Sequence, residues 1–189
     1  MKRLLVALML LSACREEAAQ DVTALDLTPE TTGFYCQMNL LEHPGPKAQA
    51  HLEGMPGMPL FFSQVRDGIA FTRMPEKLAP LLVLYVNDMG RQGATWEEPG
   101  PGNWIRADDA WYVLGSGRQG GMGAPETVPF ADEAAARAFA AAEGGEVMRL
   151  DAIPDAAVIA PVGAGADDAP DPEFENRLRA LPGGHNNDH

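Results

Sequence analysis

The sequence predicts an α+β fold built from two small ββαβ units. Three observations carry that reading. The segments PLFFSQVRDGIAF (59–71) and TVPFADEAAARAF (127–139) match in pattern, with Phe62 answering Phe130 and Phe71 answering Phe139. A strand-like stretch lies before each segment, at 48–54 and 110–116, and another lies after each, at 81–86 and 146–151. In both copies a connection rich in Gly and Met joins the first two strands. The order β-β-α-β thus occurs twice, as an internal duplication would produce it.

The elements follow in order. AQAHLEG (48–54) is the first strand, and Gly54-Met55-Pro56-Gly57-Met58-Pro59 turns the chain into a second short one ending at Phe62. Ser63 is a polar residue in N-cap position, and a helix follows it. LLVLYV (81–86) closes the first unit. AWYVLGS (110–116) opens the second, and residues 117–125 carry Met122 between glycines. Asp132 caps a helix of the type EAAARAFAAAE, which Gly144-Gly145 ends. EVMRLD (146–151) is the last strand. Residues 14–32 read as a flexible tether. Residues 162–189, rich in Gly, Pro, Asp and Asn, read as a disordered tail. The globular part is 33–161, with its units meeting near residue 105.

Composition narrows the function. Apolar residues make up 46% of 189, enough for a buried core, while 20 Gly and 16 Pro point to many turns. A net charge of -13 argues against nucleic acid, whose phosphates call for basic clusters. It suits solubility and a cationic partner or metal.

The N-terminus gives an address. Lys2 and Arg3 precede a short apolar run, Leu4 to Leu11, too short to span a bilayer as a mature helix. Leu11-Ser12-Ala13-Cys14 then resembles a bacterial lipobox, which predicts residues 1–13 as a signal peptide and Cys14 as the lipid carrier, the alternative being an ordinary signal peptide with Cys14 as a passenger. Acyl chains contribute roughly 0.8 kcal/mol per buried methylene. On this reading the mature protein is expected to hang from a membrane and face the periplasm. Arg15, in place of the Asp that retains lipoproteins at the inner membrane, favours the outer one.

There are 2 cysteines, and with Cys14 acylated Cys36 has no partner within the chain. An unpaired thiol in an oxidising compartment is unusual. Cys36-Gln37-Met38 offers thiolate and thioether together, a soft set that selects Cu(I). A zinc site would need about four ligands, which one Cys and scattered His supply poorly. His43, in the turn His43-Pro44-Gly45-Pro46, could return to the same ion.

These residues resemble a known family. Phe34-Tyr35-Cys36-Gln37-Met38 followed by His43-Pro44-Gly45-Pro46-Lys47-Ala48-Gln49 is similar to the N-terminal signature of NosL proteins. Met122-Gly123-Ala124-Pro125-Glu126-Thr127-Val128-Pro129-Phe130 resembles the second signature, and Tyr85-Val86-Asn87-Asp88 the middle strand. The resemblance implies two ββαβ units binding one Cu(I), with no enzymatic activity. It implies a periplasmic copper chaperone for the copper-sulfide centre of nitrous oxide reductase, working with the apo-reductase and its accessory transporter as a monomer or weak dimer. It names Cys36 and Met122 as ligands, with Met38 or His43 as a further one. Met55 and Met58 are not carried over.

Two other readings stay open at this level. One is a thiol enzyme using Cys36, for which His43 and His51 are the bases available. The other is a lipoprotein partner without metal. His185 and His189 in the acidic tail are treated as incidental.

Overall fold

The computed structural model describes residues 19–76 and 78–159. The lipobox with Cys14 and the tail from 162 lie outside the described residues. Each unit has the expected order. The first contains β1 (Ala48–Leu52), β2 (Leu60–Phe62), α1 (Val65–Arg73) and β3 (Leu81–Val86), followed by a two-residue strand β4 (Ile105–Arg106). The second contains β5 (Trp111–Leu114), β6 (Val128–Phe130), α2 (Glu133–Glu143) and β7 (Glu146–Arg149), and a short helix α3 (Asp155–Ile159) follows. The strand orders are β2-β1-β3-β4 and β6-β5-β7. In both sheets the unit's first strand is central and pairs antiparallel with its neighbours.

The repeated phenylalanines form the same contact twice. Phe62 and Phe71 lie with ring centroids 5.4 Å apart and planes tilted 43°. Phe130 and Phe139 lie 5.2 Å apart at 49°. In each unit the pair ties the strand before the helix to the helix itself, at a separation favourable for aromatic packing. This repeated geometry supports the duplication read from the sequence.

β1 is buried on both faces. Ala48, Ala50 and Leu52 look towards α1, where a small residue is required. A Cβ on Gly68 would stand only 2.6 Å from the Ala48 Cβ, so glycine permits the close approach of helix and sheet. The opposite face carries Gln49 and His51. Across it runs the N-terminal segment. Gln49 donates to Leu25 O at 2.8 Å and accepts from Leu25 N at 2.9 Å. Gln20 donates to Leu52 O at 2.8 Å and accepts from Gly54 N at 2.9 Å. Asp26 Oδ1 accepts from Gly102 N and from Trp104 Nε1. The expected tether over 14–32 is therefore docked across residues 20–27. The reason is physical: a sheet with one helix leaves a face open, and the buried polar Gln49 on it finds its partners in the main chain of Leu25.

The two units share a core. Ala48, Phe62, Ile69 and Val86 of the first belong to one apolar cluster with Ala107, Ala110, Tyr112, Ile153 and Val158. The buried Tyr112 hydroxyl donates to Ala107 O at 2.9 Å. α3 locks onto α1, where Arg73 donates to Ile153 O, Leu150 O and the Asp155 carboxylate, and Arg66 Nε to Val158 O. A smaller cluster, Val113, Val128, Phe130 and Ala136, lies under α2.

Candidate metal-binding site

The Cys36 loop is a closed turn seated on the end of β2. Leu40 N donates to Thr31 O, Thr32 bridges Asn39, and Gly33 N donates to Met38 O at 3.0 Å. Gln37 completes the turn with a positive φ of 56°, and its side-chain amide donates to Phe34 O at 2.7 Å. The loop is held to the sheet by Phe34 N donating to Phe61 O at 2.7 Å. Aromatic packing fixes it further. Phe34 lies within 6.0 Å of the Phe62 ring and 5.9 Å of the Phe71 ring, and Tyr35 lies 5.4 Å from Phe62. Cys36 is half-buried, and Gly33 makes room for its thiol, since a Cβ there would meet Sγ at 2.5 Å. Tyr35 and Met38 remain 51% and 40% exposed. The half-buried Cys36 thus has exposed apolar neighbours in its own loop, Tyr35 and Met38.

Met122 reaches the same strand end from the second unit. Its loop closes on itself through Gly120 N to Ala124 O and Gly123 N to Gly120 O, with Gln119 bridging Pro125. Gly121 lies against the His43 turn and the residue after β2. A Cβ on it would be 2.8 Å from His43 Cβ, 2.9 Å from Ser63 O and 3.1 Å from Pro44 O. Met122 N donates to Gln64 Oε1 at 3.2 Å, and its side chain stays 42% exposed. The Cys36 loop, the His43 turn and the Met122 loop therefore all abut the β2–α1 junction.

The junction is built on two buried charged residues. Lys47 donates from Nζ to the carbonyls of His43, Pro44 and Gly45, which pins the His43 turn. Burial lowers the Lys47 amine to about 8, and the negative ends of Glu126 and Cys36 oppose that shift. Glu126 is 1% exposed and crosses from the second unit to the first. Its carboxylate accepts from Val65 N at 3.2 Å, Arg66 N at 3.0 Å and Thr127 N at 2.8 Å. Burial pushes this carboxyl up to about 8, against the pull of those N–H donors. The sequence suggested Ser63 as the α1 cap. The N-cap is Gln64, whose side chain makes no cap bond, and Glu126 supplies the acceptors from 60 residues away. A non-local cap has no sequence spacing by which to find it. The hint was a Glu just before an apolar strand, where Thr127 N is the one local donor among the three that its carboxylate accepts from.

Other candidates fall elsewhere. Met55 and Met58 sit on the β1–β2 turn, at the other end of β2 from the Cys36 loop. Met55 packs on the first core, so its apolar side chain is used there, whereas Met58 is 59% exposed. His51 is buried beneath the N-terminal segment, on the sheet face opposite α1, and its Nε2 is within 3.0 Å of Gln49 Oε1. That separates it from the thiol it would serve in an enzyme. Beside His43 and Lys47 opens a cleft of about 510 Å³, whose lining includes Leu41, Trp104, Glu97 and Glu98. Among the described residues no group of three or more His, Cys, Asp and Glu could hold a metal ion, and no helix is long and apolar enough to cross a membrane.

Fold and junction together define a two-unit ββαβ domain with sulfur side chains exposed where its halves meet. Comparison with known proteins gives the family. The NosL family model matches residues 24–158, and the chain belongs to the NosL family. It is 63% identical over 177 residues to the copper-binding lipoprotein NosL of Achromobacter cycloclastes, covering 93% of this chain and 91% of that protein. It is 34% identical over 142 residues to the copper-binding lipoprotein NosL of Stutzerimonas stutzeri, covering 75% and 72%. The crystal structure of the copper chaperone NosL from Shewanella denitrificans matches with a TM-score of 0.64 at 30% identity, covering 70% of this chain and 96% of that one.

Proposed function

We propose that this chain is a lipid-anchored periplasmic carrier that takes Cu(I) as cargo and delivers it for assembly of the copper-sulfide centre of nitrous oxide reductase. It acts without catalysing a reaction. The observation that carries the reading is the convergence of the Cys36 loop and the Met122 loop on one strand end. Thiolate with thioether is a donor set for monovalent copper, and His43 or Met38 stands beside it for a third position. The kinship with proteins named for copper binding supports the same cargo.

Half-exposed ligands suit transfer. An acceptor's sulfur or imidazole can enter before the donor's ligands leave, so the ion is never free. The apolar rim of Tyr35 and Met38 and the acidic cleft next to His43 give an acceptor, the apo-reductase or its transporter complex, a surface to meet. Charge there governs mainly the rate and selectivity of encounter.

The test is competition against a Cu(I) chelator under reducing, anaerobic conditions. Cys36→Ser abolishes tight binding while the circular dichroism spectrum stays unchanged, and Met122→Ala weakens binding. Unchanged affinity in both variants contradicts the assignment.

A further inference from the structure

We infer that Glu126 and Gln64 are positioning residues that seat the Met122 loop on the N-terminus of α1, and so present the thioether to the Cys36 side of the molecule. The inference rests on the copper reading above and adds to it the device that joins the two halves of the site. Glu126 leaves the loop at its base and is fully buried. Its two oxygens accept from the first two N–H groups of α1, Val65 N and Arg66 N. Those donors have no partner within the helix, so the carboxylate serves as its cap. Gln64 holds the tip, accepting from Met122 N while its own amide donates to Asp67 Oδ2 at 2.9 Å. Between base and tip the loop lies flat because Gly120 and Gly121 lack side chains. A Cβ on Gly120 would stand 2.5 Å from Glu126 Oε2 and 2.8 Å from Gln64 Oε1. Each half of the donor set sits on a different unit, so this seat decides whether they face one ion.

The experiment is a double-mutant cycle in Cu(I) affinity. Gln64→Ala lowers the affinity of the full chain by roughly threefold to tenfold, as expected for the loss of one positioning hydrogen bond. In a Met122→Ala background the same substitution has no further effect, because the thioether it served is gone. An equal loss in both backgrounds, or no loss in either, overturns the inference. Glu126→Gln keeps the shape and one acceptor oxygen, so it loses less affinity than Glu126→Ala, and its loss also vanishes without Met122. If Glu126→Ala does not fold, Gln64→Ala and Glu126→Gln still decide the matter. Amide exchange at Met122 in the copper-free protein separates this inference from the copper reading. Wild-type protein that takes up no Cu(I) overturns the carrier reading alone. Protection at the Met122 amide that Gln64→Ala removes sustains the seat, and unprotected exchange in the wild type overturns it.

Discussion

Glu126 ties the base of the Met122 loop to α1 through one buried carboxyl. Folding raises its affinity for a proton from the ordinary 4.5 to about 8. Between those values the folded state binds more protons than the unfolded state. The group's contribution to stability is therefore present at low pH and lost as pH rises through about 8. Lys47 acts with the opposite sign above that range, because its amine is lowered to about 8 and the unfolded state then binds more protons. Urea unfolding from about pH 5 to about pH 8 isolates the carboxyl. Wild type loses stability relative to Glu126→Gln across that window, and a constant gap contradicts the account. At this scale Cys36, Met38, His43 and Met122 stand out in the sequence as candidate donors among Gly, Pro and aromatic residues, and the fold sets their loops against the β2–α1 junction. The sequence did not reveal Lys47, Gln64 or Glu126. Their roles depend on backbone groups brought near by the fold, which leave no periodic trace.

The elements divide by where their caps come from. α2 is capped locally, with Asp132 accepting from Ala135 N at 3.0 Å and Gly144 ending it at a φ of 80°. Both residues were readable from the sequence, and the helix bounds follow them. Asp132→Ala is predicted to destabilise the protein by about 1 kcal/mol, measured by urea unfolding, with Cu(I) affinity unchanged. A change in affinity would mean that α2 takes part in the site. α1 takes its cap from the other unit, and so Ser63 misled. β3 was legible from an apolar run of the right length, and β7 lies within the stretch 146–151 expected after the glycines that end α2. β4, with two residues, and α3, with five, are too short for any periodicity to show. Tertiary contacts hold them instead, β4 against β3 and α3 against α1.

At the scale of the whole molecule, the duplicated unit explains where the proposed site lies. Each ββαβ unit has one helix for one sheet and remains incomplete. The first unit covers its spare face with residues 20–27 and shares its core with Tyr112 and α3. The halves are thereby held together along a joint, and loops of both reach that joint beside β2. In the proposed site one unit contributes Cys36 and His43, and the other contributes Met122. The duplication and the loop positions were legible in the sequence, because matched phenylalanines and Gly-Met connections mark them. The docking of the N-terminal segment was not, because REEAAQDVTALDLTPETT has a linker's polar composition and its partners, such as Gln49, Leu52, Gly102 and Trp104, lie far along the chain. The most direct test is anaerobic titration of the reduced protein with Cu(I), read by thiolate-to-copper absorption. The account predicts a signal that saturates at one ion per chain and is absent in Cys36→Ser. No uptake by the wild type, or an undiminished signal in Cys36→Ser, would contradict it.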